Sequence, residues 1–423
     1  MKRLISVVLA SGIIASSLML SACNQSNENS SVPNESAVSQ EESTASEIKN
    51  DGESSTESIA EISVEESVPE ITSQQLSKLS KEISSYQSVP EFTGTSEKIN
   101  AREIAENKKI TIVPDNSNKT YSSLVMGQMK NAANAAGFKT IDIKETDGTI
   151  STVSDALNSA IKQKSDISVL FGDINKDNLA TTVETVQSNG IEVVSSGCAG
   201  VKQNDHFVDN TVPINYQLAG KLMADWTLVK NQGKVNALAV NNSDSVLSNT
   251  IYNGFAEEFK QYVSTATGYC TTINGTSTEI SNGFSSKIKA ALTEDPNINY
   301  IIVFDETMIS DAVSAVGQTN SKAKVIATGG SKEAFDMAQS GNLEMLVAHS
   351  YEWVGYATID YALRVMSGSK LPTDQSVPFR IVTADIIKKA LNEDDSDADG
   401  FYEICFGAAF VDGYTNLWSL GEE

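Results

Sequence analysis

The chain has 423 residues, 55 of them acidic and 31 basic, so its formal net charge is −24. Nucleic-acid binding needs a cationic face, and this charge balance excludes it as a leading function. Four cysteines without CxxC spacing and only two histidines indicate neither a disulfide framework nor a zinc site.

The first 22 residues have the layout of a secretory signal. Lys2 and Arg3 precede an apolar run, and the stretch SLMLSACNQ turns polar directly after Cys23. Serines and a glycine interrupt the run, which favours a signal peptide over a membrane span. The sequence LSAC resembles the bacterial lipobox, whose cysteine carries acyl chains on the mature protein. Cys23 is therefore a candidate lipidation site at an extracytoplasmic membrane face; the alternative is an ordinary signal peptide with an incidental cysteine.

Residues 23–107 are dominated by Ser, Glu, Asn and Thr, as in ESSTESIAEISVEESVPE. So little apolar surface cannot offset chain entropy, and the composition predicts a disordered tether. Within it, Leu76, Leu79 and Ile83 have helical spacing and predict one or two helical turns.

A regular alternation of strands and helices begins at Lys108. The first strands are KKITIVPD, KTIDIKE, SDISVLFGD and IEVVSSG, and a second series contains KVNALAV, GYCTTIN, INYIIVFDE and AKVIATGG. Apolar strands interleaved with helices predict parallel sheets that are covered on both faces. The roughly 315 residues of this part suit two domains better than one.

Ligands of such sheets bind where the carboxyl ends of the strands open onto loops. The loops at these places, such as NSNKTY, FGDINKD, NNSDS and FDETM, are small and polar. The candidate ligand-binding residues are Asn118, Tyr121, Asp173, Cys198, Asn242, Asn249, Asp305, Glu306, His349 and Trp353.

Several of these residues have an alternative structural role. Tyr121 and Trp353, like Tyr351, could stack on a ligand ring or simply pack. Asp305 and Glu306 end an apolar strand and could bind ligand; the alternative is that Asp305 or Thr307 caps the next helix, which does not exclude ligand binding by the other residue. His349 is either a hydrogen-bonded histidine or a group whose titration makes capture pH-dependent. Cys198 fills a small space rather than reacts, because the sequence places no base beside it.

The order of elements from 108 to 387 resembles the type I periplasmic solute-binding proteins, specifically their sugar-binding cluster. The matching stretches are GQMKNAANAAG, GIEVVSSG, NGFAEEF, YIIVFDETMISDAVSAV and AFDMAQSGNLEMLVAHS. The resemblance implies two Rossmann-like α/β lobes with parallel sheets, joined by a three-crossing hinge. Lobe 1 would be 108–208 plus 349–376, and lobe 2 would be 209–348 plus 377–390, with ligand caught by closure.

This sequence departs from the family at charged ligand-binding positions. The family has an Asp-Arg pair where Gly197 and Cys198 stand here, and an Arg where the sequence offers Asn249 or Thr250. It has an Asp where Gly329 stands, and a Gln at the place of His349. Groups that bind sugar hydroxyls bidentately are thus largely missing, which puts a simple-sugar ligand in doubt.

The C-terminal extension, 391–423, contains the run DSDADGFYE. Its carboxylates alternate around Gly400 at a spacing that can wrap oxygens about one Ca²⁺, which would brace the extension. The alternative is a solvated acidic loop. The candidate calcium ligands are Asp395, Asp397, Asp399, Phe401 and Glu403.

Two functions fit these observations. The first is a lipid-anchored receptor that captures a small polar solute, such as a sugar or polyol, for the permease of an ABC importer. The second is a sensory lobe that passes occupancy to a membrane kinase or chemoreceptor. An enzyme is not expected, because the sequence has no GxSxG, HExxH or P-loop motif. Asp305 and Glu306, being adjacent, are also poorly placed for a glycosidase pair.

Overall fold

The computed structural model describes residues 62–94, 96–174, 176–197, 210–393 and 405–420. They form two sheets whose strands are mostly parallel and flanked by helices, which confirms the predicted α/β fold class. The strands are β1 (Lys109–Pro114), β2 (Thr140–Ile143), β3 (Ile167–Phe171), β4 (Glu192–Ser196), β5 (Asn210–Thr211), β6 (Val235–Asn242), β7 (Gly268–Gly275), β8 (Tyr300–Val303), β9 (Lys324–Gly329), β10 (Met345–His349) and β11 (Phe379–Val382).

Helices follow nearly every strand, and the described residues also include two short 3₁₀ turns at Lys176–Leu179 and Glu306–Met308. The helices are α1 (Ser73–Ser85), α2 (Ala101–Ala105), α3 (Thr120–Ala136), α4 (Ile150–Gln163), α5 (Ala180–Ser188), α6 (Gln217–Lys230), α7 (Val246–Tyr262), α8 (Ser277–Ser281), α9 (Ser285–Glu294), α10 (Ile309–Thr319), α11 (Lys332–Gln339), α12 (Tyr351–Ser367), α13 (Ala384–Glu393) and α14 (Ala409–Leu417).

The first lobe is built on a parallel sheet of order β2-β1-β3-β4-β5. Its central strands β1, β3 and β4 are buried along nearly their whole length because helices cover both faces. On one face, α3 and α12 pack against each other and bury Val125 and Met129. On the other face, α4 and α5 bury Leu157 and Val183.

The second lobe has the strand order β11-β10-β9-β8-β6-β7, with β11 antiparallel to β10 and the other pairs parallel. Helices α6 and α7 lie on one face, and α9, α10 and α11 lie on the other. The two helices α6 and α7 cross closely at Gly220 and Gly254. A Cβ added at Gly220 would lie 1.9 Å from the Ile251 carbonyl oxygen, so only glycine fits there.

Three crossings connect the lobes. Asn210 and Thr211 still pair with β4, so the chain leaves the first lobe after Thr211, slightly later than expected at 208–209. It returns at the end of β10, because α12 packs on α3 of the first lobe. It crosses again before β11, which rejoins the second sheet beside β10.

The prediction of a disordered tether is wrong for residues 62–94 and 96–107, whereas 23–61 lie outside the described residues. Helix α1 starts at a capping box formed by Thr72 and Gln75, and it buries Leu79 and Ile83, which are 2% and 4% exposed. The predicted helical spacing is thus confirmed in a helix of 13 residues. The polar composition wrongly indicated disorder, because a few correctly spaced apolar side chains are enough to order a helix when they pack against an existing core.

In the C-terminal extension, Phe410 and Tyr414 of α14 are buried against α12. Cys270 and Cys405 are free and buried. Within the described ranges, no helix combines the length and apolar character that crossing a bilayer requires. Cys23, Cys198 and the acidic run 395–403 lie outside the described residues, so their predicted roles stay predictions.

Candidate ligand-binding site

Loops at the carboxyl ends of the strands meet between the lobes. Asp173, which follows β3 in the first lobe, accepts hydrogen bonds from the backbone amides of Val246 and Leu247, at 2.8 and 3.3 Å. These amides begin α7 of the second lobe, so a carboxylate of one lobe lies at a helix N-terminus of the other. Burial raises the pKa of Asp173 to about 6, although the Ser245 hydroxyl and Lys119 act in the opposite direction.

An ion pair lies beside Asp173 on the loop after β1. The Lys119 ammonium is 2.6 Å from Oδ2 of Asp115, whose Oδ1 accepts from the Ser122 hydroxyl at 2.8 Å. Burial lowers the pKa of Lys119, but Asp115 outweighs this and the net shift is upward, with smaller contributions from Asp173 and Asp305. The ammonium is therefore within the electrostatic reach of carboxylates from both lobes.

The two adjacent carboxylates of the second lobe have different partners. Asp305 accepts from the Thr307 amide at 3.0 Å, so it caps the 3₁₀ turn, and from the Asn242 side-chain amide at 2.8 Å. Glu306 accepts from the backbone amides of Gly330 and Ser331, at 3.1 and 3.2 Å. The capping alternative therefore applies to Asp305.

Glu306 also reaches the start of α12. Its Oε1 accepts from the Tyr351 hydroxyl at 2.8 Å. Burial raises the pKa of Glu306, whereas the hydrogen bonds from Tyr351 and the two amides lower it. A Cβ added at Gly329 would lie 2.6 Å from Oε2 of Glu306, so this carboxylate occupies the space that a side chain at 329 would need.

Aromatic rings surround His349 where the chain crosses between the lobes. The ring of His349 lies 4.9 Å from that of Tyr351, 5.9 Å from Tyr216 and 5.9 Å from Phe379, measured between centroids. His349 is the last residue of β10, and Tyr351 is the first residue of α12. Tyr216 directly precedes α6, and Phe379 is the first residue of β11. Tyr121 completes the group at 6.2 Å from His349 and 4.6 Å from Tyr351.

His349 is only 3% exposed, and neither of its ring nitrogens has a hydrogen-bond partner among the described residues. Burial lowers its pKa to about 4. The imidazole is therefore neutral at physiological pH, because its charged form would lose solvation without gaining a partner. Of the two alternatives drawn from the sequence, the hydrogen-bonded histidine does not describe this residue.

The profile of the periplasmic binding protein domain matches residues 110–370, which is more than half of the chain. This protein belongs to the periplasmic binding protein family. No curated protein sequence gives a significant match. The resemblance to type I solute-binding proteins inferred from the sequence is confirmed.

Solved structures of similar fold include three sugar- or polyol-related proteins. The glucose-galactose binding protein GanP from Geobacillus stearothermophilus is 16% identical, with a TM-score of 0.56 over 66% of this chain and 98% of that chain. A solute-binding protein from Agrobacterium vitis with bound allitol is 15% identical, with a TM-score of 0.58 over 68% and 99%. The arabinose-binding protein AraP from G. stearothermophilus is 16% identical, with a TM-score of 0.55 over 67% and 99%. At these identities the likeness shows the fold alone.

In this periplasmic binding protein, most predicted site residues lie at the facing strand ends, but Trp353 does not. Its side chain is 0% exposed and stacks between Phe92 and Phe410, with centroid distances of 5.8 and 5.4 Å. Trp353 lies two residues after Tyr351, and residues two apart on a helix point to nearly opposite faces. Because Tyr351 faces the cleft, Trp353 faces away from it.

The amide side chains of the second lobe form a network. Asn241 donates to the side-chain oxygens of Asn249 and Asn274 at 2.9 and 3.1 Å, and Asn249 donates to the Ser243 carbonyl at 3.1 Å. In the first lobe, Asn118 is exposed on the loop after β1, where its backbone amide donates to Asn116. Asn249 thus positions the cleft wall, while Asn118 presents its side chain at the rim.

Sequence reasoning missed Asp115, Lys119 and Tyr216. The first two stand in PDNSNKTY, directly after β1, and their charge at a strand end was a usable signal. Tyr216 gave no signal, since it lies in a connection between elements of different lobes. Its place beside His349 depends on the hinge geometry, which local periodicity does not encode.

Proposed function

We propose that this periplasmic binding protein captures a small hydroxylated solute, a sugar or a polyol, between its lobes and delivers it to the permease of an ABC importer. The observation that carries the proposal is the polar contact of Asp173 with the amides of Val246 and Leu247 across the gap. Such contacts form when a hinge closes and break when it opens. The family and the sugar- or polyol-related fold neighbours support the same function.

The chemistry of the gap favours neutral, hydroxylated ligands. Carboxylates of Asp173, Asp305 and Glu306 can accept hydrogen bonds from hydroxyl groups. The rings of Tyr121 and Tyr351, in edge contact at 4.6 Å, present apolar surface with polar hydroxyls. Acidic groups at this density disfavour a sugar acid or a phosphorylated sugar, because like charges would be brought together with little solvent between them.

A binding screen tests the proposal. Purified protein is mixed with D-glucose, D-galactose, D-arabinose, allitol and myo-inositol, and with galacturonate as an anionic control, and its melting temperature is measured. We expect at least one neutral compound to raise the melting temperature saturably, and calorimetry to give one site per chain. No shift with any neutral compound, or a shift with galacturonate alone, would contradict the proposal.

Two variants locate the site. Glu306→Gln keeps the shape but replaces a carboxylate at the facing strand ends, so we expect at least tenfold weaker binding of the compound found. Lys332→Ala, whose side chain is 62% exposed on α11, is the matched control and should bind as the parent does. Equal binding by the parent and Glu306→Gln would place the ligand elsewhere.

We further propose that Cys23 carries the lipid that holds the protein at the extracytoplasmic face. The layout of the first 22 residues supports this. The expected result is that the full chain partitions into membranes in its host and that mass spectrometry finds acyl chains on a peptide beginning at Cys23. Cys23→Ser should release the protein; an unacylated wild-type product would contradict the anchor.

We also propose that Asp395, Asp397, Asp399, Phe401 and Glu403 hold a structural Ca²⁺. The spacing of carboxylates about Gly400 supports this. Calorimetry with Ca²⁺ should give one saturable site that Asp397→Asn abolishes, and chelation should lower the melting temperature of the parent but not of the variant. If the parent and Asp397→Asn respond equally to Ca²⁺, and equally to Mg²⁺, in calorimetry and melting temperature, the run is a solvated acidic loop.

A further inference from the structure

Segments on either side of the matched residues 110–370 contact both lobes. The preceding segment includes α1 and α2, and the following one includes Cys405 and α14. Each contacts the second lobe at one end and helix α12 of the first lobe at the other. We call residues 71–94 and 96–105 the N-terminal strap, and residues 405–418 the C-terminal strap.

The N-terminal strap begins on the second lobe. Helix α1 packs along α6, and Glu82 of α1 is 2.8 Å from the Lys221 ammonium. The chain then runs beside β11, where the carbonyls of Tyr86 and Gln87 accept from the Ile381 amide at 2.7 Å and from Nε of Arg380 at 3.0 Å. The strap is therefore bound to the hinge-returning strand of this lobe.

Five residues further on, the same strap is bound to the first lobe. Phe92 stacks on Trp353 of α12 with 5.8 Å between ring centroids. The carbonyl of Glu97 accepts from the guanidinium of Arg364 at 2.9 Å, and Arg364 is fully buried in an ion pair with Asp360. Helix α2 then packs against α12 and α3.

The C-terminal strap makes the same passage. The Cys405 carbonyl accepts from the Arg380 guanidinium, and Phe406 belongs to the buried cluster of the second lobe. From α14, Phe410 stacks on Trp353 at 5.4 Å between ring centroids. This strap thus also ends on the first lobe.

The two straps are bonded to each other. The amide of Ile99 donates to the Leu417 carbonyl at 2.8 Å, and the amide of Ala101 donates to the Trp418 carbonyl at 3.3 Å. The rings of Phe92 and Tyr414 lie 5.0 Å apart. The straps therefore act as one body across the lobes rather than as two independent tails.

From this geometry we propose that the straps form a clamp beside the hinge that restricts how far the lobes open. The chain between Gln87 and Phe92 has five steps and can extend to about 18 Å at most, so large lobe rotations at this place must break contacts at one end. The clamp adds to the three covalent crossings, and it regulates the binding cleft of the proposed function. Its effect on lobe separation does not depend on which ligand is bound.

The test cuts the N-terminal strap of the clamp without removing any of it and leaves the C-terminal strap intact. A specific protease site is inserted between Ser88 and Val89, both exposed, in the full chain. The matched control carries the same site between Asn282 and Gly283, an exposed turn within the second lobe. Spin labels on unnatural residues at positions 130 and 257, exposed on α3 and α7, report the lobe separation by pulsed electron paramagnetic resonance without ligand.

After cleavage we expect the fragments to stay together on gel filtration and the distance distribution to gain a component several ångströms longer. The cleaved control should keep the distribution of the uncut parent. If the protein with the cleaved strap keeps the parental distance distribution while its fragments stay associated, the clamp proposal is overturned. Because no ligand enters this measurement, its outcome is separate from that of the binding screen.

A second variant covers the case in which cleavage separates or unfolds the fragments. A flexible Gly-Ser linker of eight residues at the same place lengthens the strap without cutting it. We expect the longer distance component in this variant too. We also expect it to bind a ligand found by the screen about threefold or more weakly than the parent does, because open states compete with capture. A lengthened strap with parental distances would overturn the proposal.

Discussion

The two lobes present walls of different character to the gap between them. In the second lobe, Asp305 and Glu306 have their oxygens bonded to amides and hydroxyls of the wall or of the adjoining start of α12. In the first lobe, Asp173 accepts from two backbone amides on the other side of the gap, and Lys119 is half exposed beside Asp115. The second wall thus takes most of these donors from its own lobe and is preorganised, with the Tyr351 hydroxyl coming from the first lobe, whereas Asp173 in the first wall accepts from amides of the second lobe.

The largest effect is expected from the preorganised wall. Glu306→Ala removes the acceptor for the amides of Gly330 and Ser331 and for the Tyr351 hydroxyl. Donors left without an acceptor should lower the free energy of unfolding by about 3 kcal/mol. Urea unfolding measures this loss, and Glu306→Gln, which retains an acceptor, should lose less than half as much. Similar losses in both variants would show that the charge, not the hydrogen bonding, stabilises this wall.

The next largest effect is expected at His349, which is buried where the chain crosses between the lobes. His349 has a folded pKa of about 4 against an ordinary 6.5, because burial disfavours its charged form. Below pH 6.5 the unfolded chain takes up a proton that the folded chain does not, so stability is lost as the pH falls toward 4. His349→Phe fits among the surrounding rings and cannot titrate. At pH 5 the variant should have gained about 2 kcal/mol over the parent, relative to their difference at pH 8.

Urea unfolding of both proteins at pH 8, 6.5 and 5 measures this difference. Lys332→Ala serves as a control, since its exposed side chain should leave the pH profile parallel to that of the parent. Parallel profiles for His349→Phe and the parent would mean that the imidazole gains a proton-stabilising partner when folded.

The fold was predictable where the sequence pattern is local and repeated. Apolar strands such as SDISVLFGD, followed by helices with spaced apolar residues, specify sheets covered on both faces. The straps were not predictable, because their order depends on the surfaces that receive them. Ile83 and Phe92 are apolar residues in a polar composition, and they pack on α6 in the case of Ile83 and on α12 and α14 in the case of Phe92.

The site was predictable in outline, because loops at strand ends are identified by position. Asp173 and Glu306 were selected as candidates in this way, since a carboxylate at the end of an apolar strand has no packing role, and both lie at the strand ends between the lobes. Trp353 was misassigned because aromatic character does not tell which face of a helix a residue occupies. The amide partners of Asp173 could not be predicted, because they belong to the other lobe and exist only in the assembled geometry.

The cross-gap bond of the first wall should have a moderate effect on closure. Asp173→Ala removes an acceptor at the N-terminus of α7, and capping contacts of this kind contribute about 1 kcal/mol. The ratio of closed to open protein should then fall about fivefold, seen as a longer distance between labels at 130 and 257. Asp244→Ala is the control, because Asp244 accepts from the Ser277 amide within the second lobe. A shift of equal size in both variants would mean that the bond across the gap contributes nothing specific.

The smallest effect is a pH dependence of that same bond, and its sign follows from burial. The pKa of Asp173 is about 6 in the contact and returns toward 3.8 when the carboxyl is exposed, so the closed form binds the proton more tightly. Closure should therefore be favoured as the pH falls from about 7 to 5, by less than about 1 kcal/mol because the group is partly solvated. Lys119 opposes this shift and Asp305 adds to it.

Label distances at several pH values in a His349→Phe background isolate this contribution, because the opposing titration of the histidine is then removed. Asp173→Asn keeps a hydrogen-bond acceptor but cannot ionise, so its distances should not change over the range. If the variant keeps the full pH dependence, the titrating group is another carboxylate, and Glu306, whose pKa burial also raises, becomes the group to substitute. The sign of the shift thus decides whether the first wall closes by hydrogen bonding alone or by proton uptake as well.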